Sequence, residues 1–194
     1  VARNSPSDAA TARLFVALEP CEEDRAELAV WRDRVVSGRD DLRPSSAATL
    51  HLTLAFLGRR PEAEIPAIAR AALGAVKDLK PALLRPVHVV SIPRRGAPRL
   101  FALDLEDEDG RGAAIQAAAG GALARAGLWK PEERPWWPHL TLARVRARRR
   151  AEPLVAAEPA PGPVRAPLVT LYRSTLRPEG AQYDPLERIE LKYG

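Results

Sequence analysis

His51 and His139 each open the five-residue string HLTLA, at 51–55 and 139–143, in a chain whose only other histidine is His88. An imidazole titrates near neutrality, so it can take up or release a proton at ordinary pH. In an extended strand alternate side chains share a face, which sets His51 and Thr53 on one side and Leu50, Leu52 and Leu54 on the other. His139 and Thr141 oppose Leu140 and Leu142 in the same way. Each strand thus presents a proton-transfer group and a hydroxyl, and is anchored by leucines from behind. Facing one another across a cleft, two such strands supply a base and an acid to opposite sides of a reacting centre. Strand propensity selects residue classes, not a His-x-Thr order, so an identical string at two distant places points to function and not to packing. His88, in Val87-His88-Val89, has no threonine two residues on and is read as an ordinary strand histidine.

The strings diverge at their matching sixth positions, Phe56 and Arg144. A guanidinium three residues past Thr141 adds a full positive charge beside a phosphate, whereas Phe56 is apolar and packs or stacks. The duplicated site is therefore expected to be chemically asymmetric.

The whole composition narrows the classes further. A chain of 194 residues, 46% hydrophobic, can bury one sizeable core or two small lobes. The longest apolar runs, such as Leu50–Leu57, are too short to span a bilayer, and no apolar signal core stands at the N-terminus, so a cytoplasmic protein without membrane contact is expected. The net charge is +5, and lysine occurs only at Lys77, Lys80, Lys130 and Lys192. Arginine suits phosphate and stacks on bases, so a polyanionic partner accounts for this bias as readily as an arginine- and alanine-rich proteome does. The single cysteine, Cys21, allows neither an internal disulfide nor a cysteine cluster, and is read as a small filler near a helix start. Neither HLTLA string holds Asp or Glu, and two histidines leave a zinc site short of ligands, so no metal and no cofactor are expected.

The elements that must position these strands follow from periodicity. After a polar tail (Val1–Ala12), Leu14–Leu18 is a buried strand ended by Pro20. Residues 22–37 are a helix with Leu28, Trp31 and Val35 on one face, closed by Gly38. A turn-rich stretch, Arg43–Ser46, leads into the first HLTLA strand, stopped by Gly58, and a second helix runs from Pro61 to about Leu79 with Pro66 in its first turns. Strands Val87–Ile92 and Leu100–Leu105, an alanine-rich helix over 111–126 and the second HLTLA strand follow. Arg146–Pro167 is expected to be a short helix plus a loop, and strands Leu168–Leu176 and Leu186–Leu191 end the chain. The fold class is α+β: bilobal and internally duplicated, antiparallel sheets lining a central cleft with helices outside, as a single domain over 1–194.

The strings His51-Leu52-Thr53-Leu54 and His139-Leu140-Thr141-Leu142 resemble the paired HxTx signature of the two-histidine (2H) phosphoesterases. Within them, RLFVALEP, LHLTLAFLG, RPWWPHLTLARV and LYRSTLRPEGAQY are similar to the RNA 2′,3′-cyclic phosphodiesterase, or 2′-5′ RNA ligase, family over nearly the whole chain. The resemblance implies a V-shaped cleft and metal-independent opening of a 2′,3′-cyclic phosphate to a 2′-phosphomonoester. It further implies His51 as the acid that protonates O3′ and His139 as the base that activates water; the sequence itself does not divide those roles. Thr53, Thr141 and Arg144 then hold the phosphate oxygens. Phe15 either contacts the terminal base, as the family suggests, or packs in the core. Tyr172 and Ser174 share a strand face and either border the cleft or form a cross-strand pair. Arg146, Arg148, Arg149 and Arg150 either guide RNA backbone or form a solvated turn. The implied partner is RNA with a 2′,3′-cyclic phosphate end, or a cyclic nucleotide, acted on by a monomer, and 2′-5′ ligation through the same site is implied as its reverse. The doublet Trp136-Trp137 departs from the family pattern, which has an aromatic and then a more polar residue.

Overall fold

A computed structural model describes residues 10–177 and 180–192. Most of the tail expected at Val1–Ala12, and Pro178 and Glu179 of the LYRSTLRPEGAQY stretch, lie outside the described residues. The chain runs β1 (Thr11–Glu19), α1 (Glu22–Val35), β2 (Leu42–Pro44), β3 (Leu52–Pro61), α2 (Ile65–Gly74), β4 (Ala82–Ile92), β5 (Leu100–Glu106), α3 (Arg111–Arg125), β6 (His139–Val145), β7 (Val164–Ala166), β8 (Leu168–Arg177) and β9 (Gly180–Glu190). Two antiparallel sheets result, in the orders β3-β1-β8-β9 and β2-β6-β5-β4-β7. Each sheet carries one HLTLA strand, so the fold is α+β, bilobal and duplicated. Leu52 and Leu54 share one apolar core with Leu140 and Leu142, which fixes the backs of both motif strands against the same interior. Among the described residues no helix is long and apolar enough to cross a membrane.

Local chemistry explains the helices. Glu22, Glu23 and Asp24 fill the first turn of α1 and Arg32 and Arg34 its last, matching the helix dipole, with Cys21 at the N-cap as expected for a small residue there. Pro66 sits in the first turn of α2, where its missing N–H costs nothing.

Both HLTLA strands carry a β-bulge at the same place. On β3 the register steps from Ala17↔Thr53 to Val16↔Ala55, leaving Leu54 unpaired. On β6 it steps from Ala102↔Thr141 to Phe101↔Ala143, leaving Leu142 unpaired. Simple alternation would send the residue five places after each histidine to the leucine side, but one extra residue reverses the parity. Phe56 and Arg144 therefore face the cleft beside Thr53 and Thr141.

β3 is an edge strand, and its outward carbonyls need donors. Side chains from the other half of the chain supply them. Trp136 Nε1–H donates to Thr53 O (2.9 Å), Gln116 Nε2–H to Leu54 O (3.3 Å) and Trp129 Nε1–H to Phe56 O (3.1 Å). Trp136 precedes the second HLTLA string by three residues, so its indole ties one motif strand to the approach of the other.

Several sequence expectations are corrected. Gly58 does not stop the first motif strand: it sits at φ 71° at a second bulge, between Leu14↔Gly58 and Phe15↔Phe56, and β3 runs on to Pro61. That positive φ is why glycine stands there. Arg146–Pro167 holds no helix: Arg148 turns the basic start at φ 62°, and Pro153, Pro159, Pro161 and Pro163 interrupt the rest; Leu154 is buried beside Phe101, and β7 pairs with β4. Arg43–Pro44, read as a turn, belongs to β2 and aligns Arg43 with Arg144 across the sheet edge, where a terminal proline is tolerated. Strands β4 and β9 start earlier than expected, at Ala82 and Gly180, and α2 ends at Gly74 instead of near Leu79.

Candidate active site

The two sheets enclose a cleft of about 780 Å³ whose walls include His51, Thr53, His139, Thr141 and Arg144. Each histidine is held by a carbonyl two residues upstream, in the segment that leads into its strand. His51 Nδ1 lies 2.7 Å from Thr49 O and His139 Nδ1 lies 2.9 Å from Trp137 O. A carbonyl only accepts, so Nδ1 carries the proton in both rings and Nε2 is left as the lone-pair nitrogen. The same anchor therefore sets both tautomers, with Nε2 free to exchange a proton.

The surroundings of the two rings differ. His51 packs 4.9 Å from Phe15 and edge-on to Tyr183 at 5.3 Å. Burial pushes its imidazole down to about 4, while the Thr49 carbonyl and the Glu19 carboxylate favour the protonated ring. Glu19 is almost fully buried on β1, accepts a hydrogen bond from the Thr170 hydroxyl, and lies 3.4 Å from Arg25 and 3.5 Å from Arg188. His139 is also lowered by burial, opposed by the Trp137 carbonyl and the Asp104 carboxylate. Trp137 stacks on it at 4.1 Å and 15°. The indole N–H donates to Asp104 Oδ1 at 2.5 Å, and the Arg94 guanidinium lies 5.3 Å from the indole ring.

The cleft is strongly cationic. Arg13, Arg43, Arg144, Arg146 and Arg177 line it, and among the described residues no carboxylate does. Arg43 fits because Gly180 has φ 138° and no side chain; a Cβ there would lie 3.2 Å from the guanidinium carbon. Such a site binds a phosphodiester through its charge and offers two imidazoles for proton transfer.

The structure brings together His51, Thr53 and Phe15 from one sheet and His139, Thr141 and Arg144 from the other around one cleft. It places Tyr172 elsewhere: the ring is buried, stacked behind Phe15 at 5.2 Å, and only Ser174 of the pair reaches the cleft. Burial and Glu19 push the Tyr172 phenol up to about 12, so it remains protonated. Of the arginine run, Arg146 lines the cleft and donates to Leu42 O (3.0 Å), whereas Arg148, Arg149 and Arg150 are exposed beyond it. His88 stands outside the cleft with Nε2 4.0 Å from Asp104. Phe56, expected to pack or stack, is 42% exposed through the Leu54 bulge and stacks under the Arg13 guanidinium, 4.7 Å from its ring.

Sequence reading missed Asp104 and Arg43. Asp104 faces His139 across the β5–β6 pair and Arg43 faces Arg144 across the β2–β6 pair, relations that no local pattern carries. The Trp136-Trp137 doublet was the available signal for the aromatic support.

Two sheets, each presenting a His-x-Thr strand to one arginine-lined cleft, have the architecture of a two-histidine phosphoesterase. Comparisons with known proteins agree. Residues 18–101 match the model of the LigT-like phosphoesterases. An RNA 2′,3′-cyclic phosphodiesterase of Thermus thermophilus is 31% identical over 188 residues, 93% of this chain and 90% of that protein. A crystal structure of a Thermus thermophilus protein superposes with a TM-score of 0.76 at 29% identity, covering 92% of this chain and 97% of the other. Escherichia coli LigT with 3′-AMP gives 0.71 at 26% identity, covering 94% and 99%. The chain belongs to the RNA 2′,3′-cyclic phosphodiesterase family of LigT-like two-histidine phosphoesterases, and it is an enzyme.

Asp104 and Trp137 bear on His139 through charge and stacking, the contacts a positioning residue makes. Replacing Asp104 with Asn removes the charge that favours the protonated ring, so the limb of kcat/KM that His139 sets is expected to move to lower pH. Turnover is expected to fall by less than the roughly 10²–10⁴-fold that a positioned acid or base supplies directly. Trp137→Phe, which keeps a stacked ring but loses the bond to Asp104, is expected to shift that limb less. A pH–rate series on both variants checks this; an unmoved limb in Asp104→Asn removes Asp104 from the assignment.

Proposed function

We propose that this enzyme hydrolyses the 2′,3′-cyclic phosphate at an RNA end to a 2′-phosphomonoester, without a metal, as a monomer and single bilobal domain whose one chain supplies both halves of the site. The observation that carries this reading is the pair of histidines, each with Nδ1 tied to a main-chain carbonyl and Nε2 left free in one cationic cleft. His139 takes a proton from water as its oxygen attacks phosphorus. His51, once protonated, gives a proton to O3′ as the P–O3′ bond breaks, leaving the phosphate on O2′. Each ring has a carboxylate that favours its protonated form, Glu19 at His51 and Asp104 at His139, so the division of roles rests on the family resemblance. Thr53 and Thr141 donate to the non-bridging oxygens and Arg144 offsets their charge, which grows in the pentavalent state. The 5′-hydroxyl of a second RNA end, in place of water, gives 2′-5′ joining by the same route. The Thermus relative bears the name of this activity, and the Escherichia coli LigT complex holds a 3′-nucleotide.

The test is purified protein incubated with a short RNA ending in 2′,3′-cyclic phosphate, with chelator present. Appearance of a 2′-phosphate end supports the reading; a 3′-phosphate product, or activity restored only by added metal, overturns it.

The depressed histidines give the pH profile a direction. The base must be neutral, so kcat/KM rises as pH passes the base's pKa; the acid must be protonated, so it falls as pH passes the acid's. Both imidazoles in the free protein lie below their ordinary value of 6.5, so both limbs of kcat/KM fall below that pH. A bound phosphate anion favours both imidazoliums, so the kcat optimum is expected at higher pH than that of kcat/KM. Initial rates across pH at low and saturating substrate check the order of the two optima.

A further inference from the structure

The cleft continues past the HxTx centre. Arg13, Ser174 and Leu176 line both it and a second groove of about 380 Å³, which Arg59 also borders. Arg13 and Arg59 are cross-strand partners on β1 and β3, close to the Phe15↔Phe56 pair. The Arg13 guanidinium lies 4.7 Å from the Phe56 ring, and that ring is left 42% exposed at the cleft wall. Among the described residues neither Arg13 nor Arg59 makes an ion pair, while the one carboxylate bordering the groove, Glu62, is paired with Arg173 at 3.0 Å. An exposed aromatic ring capped by a guanidinium, followed by uncompensated cations, is the pattern that holds single-stranded nucleic acid: the ring takes a base and the cations take phosphates.

We propose that the groove over Phe56, Arg13 and Arg59 binds the nucleotides preceding the cyclic-phosphate end, so that the preferred substrate is the end of an RNA chain and not a free cyclic mononucleotide. An upstream base extends the Arg13–Phe56 stack, and the adjoining phosphates lie against Arg13 and Arg59. This rests on the RNA cyclic phosphodiesterase reading and adds the chain-length preference to it.

The test compares a 2′,3′-cyclic mononucleotide with a tetranucleotide ending in 2′,3′-cyclic phosphate, in the wild type and in Arg59→Ala and Arg59→Glu. Wild-type kcat/KM is expected to be at least about tenfold higher for the tetranucleotide, the scale of one stacked base. Arg59→Glu should lower tetranucleotide kcat/KM about tenfold through KM and leave mononucleotide hydrolysis within about twofold, since Arg59 lies outside the reaction centre. In Arg59→Ala the slope of log KM for the tetranucleotide against log salt should flatten by about 0.7, the loss of one phosphate contact. Equal kcat/KM for the two wild-type substrates, or equal losses on both in Arg59→Glu with an unchanged melting temperature, overturns the groove assignment while the reaction stands. Hydrolysis of neither substrate overturns the reaction and this inference together.

Discussion

Replacing either His51 or His139 with alanine is expected to lower turnover by about two to four orders of magnitude, the range typical of a positioned acid or base. In the proposed mechanism the two rings act in one proton circuit, so the double variant should cost little more than the worse single one. The fold should tolerate both changes. Each imidazole contributes one hydrogen bond to a carbonyl in the segment just before its strand, and the leucines behind it carry the packing. Single-turnover kinetics beside thermal melts separate the effects. Near-wild-type turnover in either single variant sinks the two-histidine mechanism, and a collapse in melting temperature shows a structural role instead.

The second large effect is expected at the threonines. Thr53→Val and Thr141→Val each keep the β-branched shape that suits a strand and remove only the hydroxyl. Loss of one donor to a developing phosphorane oxygen is expected to cost about 10²–10³ in kcat, with a smaller change in KM because the donor matters most in the transition state. Steady-state kinetics on the cyclic-phosphate RNA check the split. A rise in KM with kcat unchanged makes the threonines ground-state binders and moves the transition-state burden to Arg144.

The sequence made the reacting groups plain because a rare residue recurs in a fixed string, and hydrophobic alternation told which side of each strand held them. It also made the α+β order plain, since most elements are bounded by Gly or Pro. Its limits have one physical origin, which is pairing between distant strands. The bulges at Leu54 and Leu142 are set by how β3 meets β1 and how β6 meets β5, and only they turn Phe56 and Arg144 into the cleft. Periodicity within HLTLAF gave no warning that Phe56 is exposed. Asp104 and Arg43 reach the site through cross-strand registers, and Tyr172 is hidden because β8 sets it behind Phe15. The prolines of 153–163 were legible as loop, whereas the basic start of that segment suggested a short helix where Arg148 instead turns the chain at φ 62°.

The strand order of the first sheet also sets when that sheet can close. β1 is central, with β3 on one side and β8 on the other, so Arg13 pairs with Arg59 early in the chain and with Ser174 only near its end. On the ribosome β1 and β3 emerge together with His51, but the other edge of β1 stays open until β8 and then β9 are made. Long-range pairing of this kind closes slowly and leaves a sheet edge exposed meanwhile. The second sheet, by contrast, gathers β2, β4, β5 and β6 before β8 is made. The sheet that presents His139 thus has all its strands ahead of β8 in the chain, whereas the sheet that presents His51 is closed only by β8 and β9.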